Sequence, residues 1–130
     1  MQILYHDETL VAVNKPSGLL VHRSWVDREA SDFALQRVRA LTGRRVYPVH
    51  RLDRPTSGVL LFAFSPVAAG AVQRQIEDGT VEKRYLAVVR GWTEPAGRID
   101  HALKDDAKLR HGRIALRSAL TDYEPVSYTH

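Results

Sequence analysis

A short apolar run between polar segments places the strongest constraint on how this chain folds. Residues 58–64 read Gly-Val-Leu-Leu-Phe-Ala-Phe, so apolar side chains fall on both faces of any strand formed there. A strand with two apolar faces needs cover on both sides, which is typical of a central strand in a sheet. Neither this run nor any other is long enough to span a bilayer, so no membrane partner is expected.

Shorter segments with alternating or apolar residues predict the remaining strands. They lie at residues 3–5, 10–13, 81–89, 98–103 and 118–128. A turn at residues 6–8 joins the first two strands, and Gly91 ends the strand at residues 81–89. Residues 104–113 are polar and charged, and they are predicted to form a loop.

Apolar residues at helical spacing predict two helices. The first covers residues 31–42, with Ser31 or Asp32 as N-cap and Gly43 as the stop. Its core-facing residues are Phe33, Val38 and Leu41. The second begins at Ser65 and Pro66 and stops at Gly79, with an apolar stripe of Ala68, Ala69, Val72, Gln73 and Ile76. These elements predict an α+β fold with a mixed, mostly antiparallel sheet flanked by helices.

Positive charge is concentrated in one window of the chain. The 130 residues include 19 Lys and Arg against 15 Asp and Glu, giving a formal net charge of +4. Between residues 37 and 54 lie six arginines and a single acid. Such a basic patch suits a polyanion, above all nucleic acid. A solvated helix face followed by a loop is the alternative that charge alone leaves open.

The composition excludes several kinds of site. The chain has no cysteine, which rules out disulfides, thiol catalysis and thiolate metal sites and fits a reducing, cytoplasmic location. No histidine pair has metal-site spacing, and no phosphate-binding glycine loop is present. The residues therefore show no metal-binding or phosphate-binding motif.

The loop before the apolar run holds the strongest candidate for chemistry. Asp53 is the only acid in the basic window, and neighbouring guanidinium groups favour a negative charge there. A carboxylate held among phosphate-binding arginines is a candidate nucleophile or base towards a nucleic acid. The alternative from the residues alone is that Asp53 caps a turn and pairs with Arg51 or Arg54.

Two other kinds of side chain are weaker candidates. His22 and His50 either line a polar site or are surface, hydrogen-bonded residues. Tyr85 follows Lys83 and Arg84 and is either a stacking platform for a base or simply a core residue.

Three segments in the same order resemble motifs of the RluA-type pseudouridine synthases. They read VNKPSGLLVH at residues 13–22, HRLDRPTSGVLLFA at residues 50–63 and KRYLAVVRG at residues 83–91. The resemblance implies that Asp53 attacks a uridine at C6 of the base or at C1′ of the ribose, with a route through proton loss at C2′ preferred. The uracil then detaches, rotates and rejoins through C5, without a cofactor or metal. The target base must be flipped out of its stack to be reached.

The same resemblance implies roles for individual residues. Tyr85 packs on the flipped base, and Arg51 fills the gap that the base leaves. His50, Arg54 and Lys15 are expected to contact RNA. Within the family the wording is most similar to a branch that modifies tRNA at the uridine in position 65, so the expected partner is tRNA. Alternatives are a synthase acting on ribosomal RNA and an RNA-binding fragment without activity.

One motif of the family is missing from this sequence. Nothing resembles its GRxHQIRxH segment, whose first arginine pairs with the catalytic aspartate, and Arg110, Arg113 and Arg117 do not lie in that context. We therefore expect residues 1–130 to be a catalytic domain that is incomplete at its C-terminus. We expect no preceding S4 RNA-binding domain and a monomeric state.

Overall fold

A computed structural model describes residues 1–23, 31–104 and 116–128. The chain forms two compact units, Met1–Arg84 and Tyr85–His130. The first unit contains β1 (Gln2–His6), β2 (Leu10–Lys15), α1 (Ala34–Thr42), β3 (Tyr47–Pro48), β4 (Gly58–Ala63) and α2 (Pro66–Glu77). The second contains β5 (Gly97–Asp100), β6 (Leu103–Lys104), β7 (Leu116–Arg117) and β8 (Leu120–Tyr123).

The predicted turn between β1 and β2 is present, and the structure shows that one carboxylate holds it. Oδ1 of Asp7 accepts hydrogen bonds from the main-chain N–H groups of Thr9 and Leu10, both at 2.7 Å. The hydroxyl of Tyr5 donates to the other oxygen at 2.7 Å. These hydrogen bonds hold the pKa of Asp7 well below its usual range.

The sheet of the first unit is antiparallel and has the strand order β1-β2-β4-β3. The apolar run therefore forms an inner strand, as predicted. The register of β2 against β4 places Val11 opposite Phe62 and Val13 opposite Leu60. The contact between Leu20 and Phe33 is a single parallel bridge outside the sheet.

Both faces of β4 are packed, because alternate side chains enter different apolar clusters. Leu60 and Phe62 join Val11, Val13 and residues of α1 in one cluster. On the other face, Ala63 packs with Ala69 of α2, and Leu61 lies against the same cluster. The helices thus cover opposite faces of the sheet, which is why a run with no polar face is stable there.

Helix α1 starts differently from the prediction that Ser31 or Asp32 caps it. The N-cap residue is Phe33, whose side chain makes no capping hydrogen bond. The carbonyl oxygens of Leu20 and Val21 instead accept the N–H groups of Ala34 and Leu35 at 2.8 and 3.0 Å. A remote main-chain segment thus satisfies donors that the helix leaves unpaired, and this arrangement leaves no local sequence signature.

The rest of α1 follows the prediction except at its last turn. Phe33 and Val38 are buried, and Gly43 ends the helix in the left-handed conformation with φ 63°. Leu41 was expected in the core but is 50% exposed. The core residues of this helix are Ala34 and Val38, so the sheet covers its earlier turns only.

Helix α2 confirms its predicted signals. Oγ of Ser65 accepts the N–H of Ala68 at 3.1 Å, and Pro66 follows as the first helical residue. The helix ends at Glu77, just before Gly79 with φ 72°. Of its predicted stripe, only Gln73 is exposed, and its amide donates to the Pro48 carbonyl at 3.4 Å.

The strand predicted at residues 81–89 is wrong. These residues are in no ladder of the described chain, and Val88 is fully exposed. Alternating apolar residues become a strand only when a neighbouring strand supplies hydrogen bonds and a core covers one face. Neither is present in the described part of the chain, so the pattern alone does not produce the strand.

The second unit consists of two small antiparallel ladders, β5 with β8 and β6 with β7. The strand predicted at residues 98–103 is replaced by β5 and β6, and the one predicted at residues 118–128 by the shorter β8. The predicted loop at residues 104–113 lies outside the described residues from position 105 onward. The described elements confirm the α+β class with antiparallel sheets. No described helix is long and apolar enough to cross a membrane.

The two predicted N-caps give a direct test of the helix starts. We expect Ser65→Ala to lower the free energy of unfolding by about 1 kcal/mol, because it removes the bond to the Ala68 N–H. Ser31→Ala, at a predicted cap that the helix does not use, should change it by less than about 0.5 kcal/mol. Urea denaturation measures both, and equal losses would contradict this assignment of the caps.

Candidate functional site

Asp53 lies on a tight turn at the start of the central strand. The Thr56 N–H donates to the Asp53 carbonyl at 3.0 Å, which closes the turn two residues before β4 begins at Gly58. The residue is exposed, whereas Leu52 beside it is buried in the core. The turn therefore holds a solvent-facing carboxylate at the end of a packed strand, where a rigid sheet supports it.

A second segment, residues 15–19, clasps this turn. The Gly18 N–H donates to the Arg54 carbonyl at 2.7 Å, and the Ser17 hydroxyl donates to the Pro55 carbonyl at 2.7 Å. In return, Nε of Arg54 donates to the Gly18 carbonyl at 3.1 Å. Gly18 has φ 86°, a left-handed conformation that favours glycine. The main chain on both sides of Arg54 is thus fixed by hydrogen bonds.

Lys15 is the buried centre of this arrangement. Its side chain is fully buried, and Nζ donates to the carbonyls of Leu19, Pro16 and Arg54 at 2.6, 3.0 and 3.2 Å. Burial lowers the pKa of this ammonium group, and the negative charge of Asp53 acts in the opposite direction. Lys15 was expected to contact RNA directly. Its side chain offers no accessible surface for that contact, so its placement indicates that it positions the turn.

His50 is also tied to the sheet. Its Nε2 accepts the N–H of Leu61 in β4 at 3.2 Å, and the ring is half-buried. Burial lowers the pKa of His50, the hydrogen bond with the Arg51 main chain raises it, and the charge of Lys83 lowers it. The ring therefore favours the neutral form, which fits its role as an acceptor for a main-chain donor.

A small cavity lies beside this histidine. Its volume is about 200 Å³, and its polar lining comes from His22, His50, Arg51 and Gln73. The sequence named both histidines as candidates for a polar site, and the structure places them at one cavity. Among the described residues no group of three or more acidic or histidine side chains is arranged to hold a metal ion.

The remaining candidate residues are exposed. Arg51 and Arg54 both lie on the surface of the first unit, with Asp53 between them in the chain. Tyr85 belongs to the second unit, is 63% exposed and lies outside any strand. The structure thus joins Lys15, Asp53 and Arg54 through one hydrogen-bonded turn, and the stacking role of Tyr85 stays a prediction.

The contribution of Ser17 and Gly18 was not predicted, because the sequence around them indicates only a break between strands. The available signal was the similarity of the two turns, because both Pro-Ser-Gly and Pro-Thr-Ser-Gly precede apolar segments. That signal does not show that the two turns bond to each other. Their pairing depends on β2 and β4 being neighbours, with Lys15 opposite Gly58.

The importance of the buried ammonium can be measured directly. We expect Lys15→Met to lower the free energy of unfolding by about 2–4 kcal/mol, because it leaves three carbonyls without their donor. Lys104→Met, at an exposed position of β6, is the matched control and should change it by less than about 0.5 kcal/mol. Chemical denaturation compares the two, and equal stabilities would refute a structural role for Lys15.

The histidine predicts a pH dependence of stability. Because the pKa of His50 is lower in the folded chain, the unfolded chain binds the proton more tightly. The stabilisation from neutral His50 is present above the unfolded pKa of about 6.5 and is lost as pH falls through the folded value. The advantage of the unsubstituted chain over His50→Gln in unfolding free energy should therefore shrink between about pH 8 and pH 5. A constant difference would contradict the neutral assignment.

Comparison with known proteins assigns the chain to a family. The sequence profile described as RNA pseudouridylate synthase matches residues 9–130. Among solved structures, the human RNA pseudouridylate synthase domain containing 1 superimposes with a TM-score of 0.67 at 27% identity, covering 93% of this chain and 50% of the other. Human RNA pseudouridylate synthase domain containing 4 has a TM-score of 0.60 at 23% identity, covering 98% and 54%, and supports the fold.

Bacterial relatives are more similar in sequence. A tRNA pseudouridine synthase C from Pasteurella multocida is 50% identical over 95% of this chain and 53% of its own length. The protein of the same name from Vibrio cholerae is 46% identical over 98% of this chain and 54% of its own length. The chain thus spans about half the length of these curated relatives. The resemblance read from the three motifs is confirmed, and the chain belongs to the RNA pseudouridylate synthase family.

Proposed function

We propose that this chain carries the nucleophile-bearing half of an enzyme that isomerises a uridine in tRNA to pseudouridine. Asp53 is the proposed nucleophile. The observation that carries this assignment is the clasped turn, which presents an exposed carboxylate at the end of the central strand. The names of the bacterial relatives support tRNA as the substrate.

The proposed reaction needs no partner other than the RNA. The bond from C1′ to N1 breaks, a bond from C1′ to C5 forms, C5 loses a proton and N1 gains one. Atoms and oxidation states balance within the nucleotide, so no oxidant, reductant or group donor is consumed. What the protein must supply is a nucleophile, a place for the rotating uracil and binding energy for a base removed from its stack.

The geometry around Asp53 supports its assignment as the nucleophile. A carboxylate is a useful nucleophile only if it is held at one position, because misplacement of the reacting atoms costs rate. The hydrogen bonds from Gly18 and Ser17 reduce the conformational freedom of the turn. Buried Lys15 donates to the Arg54 carbonyl, which also accepts the Gly18 N–H. Lys15 is therefore proposed as a positioning residue.

Other residues are proposed as RNA contacts. Arg51 and Arg54 are exposed on either side of Asp53, where guanidinium groups can meet phosphate oxygens in two-point hydrogen bonds. Arg51 is proposed to fill the gap left by the flipped base, and Tyr85 to stack on that base. His50 and the cavity beside it border the same loop and are proposed to contact RNA close to the target nucleotide.

Finer features of the proposal follow from the resemblance to the tRNA-modifying branch. The target is proposed to be the uridine at position 65, and the enzyme to act as a cytoplasmic monomer without a metal or cofactor. Residues 1–130 are proposed to form part of one catalytic domain.

A chimera tests the proposal with the second half of the domain present. Residues 1–130 replace the matching segment of the Pasteurella multocida relative, and unmodified tRNA labelled with tritium at uridine C5 is the substrate. Forming the new bond at C5 releases that tritium, so release measures the reaction. We expect activity in the chimera and a loss of about 10³-fold or more in its Asp53→Asn variant.

Two controls define what each result means. Asp78→Asn removes an exposed carboxylate at the end of α2 and should leave tritium release unchanged. Asp53→Asn should still bind tRNA, since it removes a negative charge from a basic region. Activity in Asp53→Asn comparable to Asp78→Asn would refute Asp53 as nucleophile. Binding of tRNA by an inactive chimera would favour a binding module without catalysis.

A further inference from the structure

We propose that a second basic surface, at the C-terminal end of α1, binds the phosphate backbone of the RNA away from the target uridine. This α1 basic surface consists of Arg39, Arg44 and Arg45. The three arginines border a shallow cavity of about 530 Å³ together with Ala40 and Gly43. The inference rests on the proposed function, because it concerns how the same RNA substrate is held.

The charge of this surface is uncompensated within the described chain. Arg37 on the same helix pairs with Asp32, Arg84 pairs with Glu82, and Arg98 with Asp122. No carboxylate among the described residues pairs with Arg39, Arg44 or Arg45. Three like charges within seven positions repel one another, and an anionic ligand with several charges relieves that repulsion.

Two of these guanidinium groups lie over aromatic rings. The guanidinium carbon of Arg44 lies 3.8 Å from the centroid of the Phe64 ring, and that ring packs edge-on against His6 at 5.3 Å. The guanidinium carbon of Arg45 lies 5.4 Å from the centroid of Tyr47. A ring contacts the face of a guanidinium group and leaves its in-plane N–H donors for phosphate oxygens. Prior ordering lowers the entropy lost on binding.

The position of the surface indicates the kind of ligand. The turn with Asp53 precedes Gly58 at one end of β4, whereas Ala63 at the other end pairs with Tyr47, close to Arg45 in the chain. The five steps from Gly58 to Ala63 span about 17 Å at roughly 3.3 Å per step. A single nucleotide does not reach across that distance. Phosphates along one strand of a DNA duplex recur about every 3.4 Å along the helix axis, so a nucleic acid of several nucleotides spans this distance.

The test measures how the 130-residue chain binds an unmodified tRNA transcript over a series of salt concentrations. Each phosphate contact contributes roughly −0.7 to −0.9 to the slope of log K against log salt. We expect Arg44→Gln/Arg45→Gln to weaken binding about tenfold near 0.1 M salt and to reduce the slope by about 1.5. Arg44→Lys/Arg45→Lys keeps the charge and should retain most of the slope.

A matched variant distinguishes an effect of this surface from an effect of total charge. Arg74→Gln/Arg98→Gln also removes two arginines, from α2 and β5, and should leave the slope nearly unchanged. Equal losses in the two glutamine pairs, or no binding of tRNA by the unsubstituted chain, would overturn the proposal. So would competition by uridine monophosphate as effective as that of tRNA. Thermal melting of each variant shows whether a loss reflects unfolding instead.

The outcome is distinguishable from failure of the proposed function. The salt dependence of tRNA binding tests the α1 basic surface, whereas tritium release by the chimera tests catalysis by Asp53. Equal losses in both glutamine pairs with an active chimera would remove only the surface. A selective loss in Arg44→Gln/Arg45→Gln with an inactive chimera would keep the surface and remove the catalytic assignment.

Discussion

The buried ammonium group of Lys15 is the interaction on which the candidate site depends. A positive charge without accessible surface is costly unless oxygen atoms replace its water, and here three main-chain carbonyls do so. Those carbonyls belong to two segments that are distant in the sequence. Satisfying one charge therefore brings the Arg54 turn against residues 15–19, and the position of Asp53 follows from that closure.

The sheet makes this closure possible. Because β2 and β4 are antiparallel neighbours, Lys15 at the end of one strand lies opposite Gly58 at the start of the other. The helices cover opposite faces of the sheet, which fixes the two strands relative to each other. Loops at one end of the strands carry Asp53, and the segment after α1 carries the second group of arginines near the other end. A packed scaffold thus separates two exposed polar regions.

The helices, strands and caps whose geometry depends on neighbouring residues could be predicted from the sequence. Those that depend on contacts with distant residues could not. The apolar run became the inner strand β4, and Ser65 and Gly43 cap the helices as expected, because their geometry involves only a few adjacent residues. The start of α1 was missed, since its caps are the carbonyls of Leu20 and Val21. The strand predicted at residues 81–89 is absent from the structure. Alternating residues indicate which side chains would share one face of a strand, but they supply neither a neighbouring strand nor a core to cover that face.

The sequence by itself determined the α+β class, the place of the basic window and the identity of Asp53 as the one acid within it. These three properties follow from local composition and periodicity, which depend only on the order of residues along the chain. Only the tertiary structure decided where the ammonium group of Lys15 lies and which atoms it contacts. The family resemblance implied that Lys15 contacts RNA, yet the fold surrounds its ammonium group with three main-chain carbonyls. Burial and hydrogen-bond partners are properties of the whole packing, because they depend on which distant segments meet.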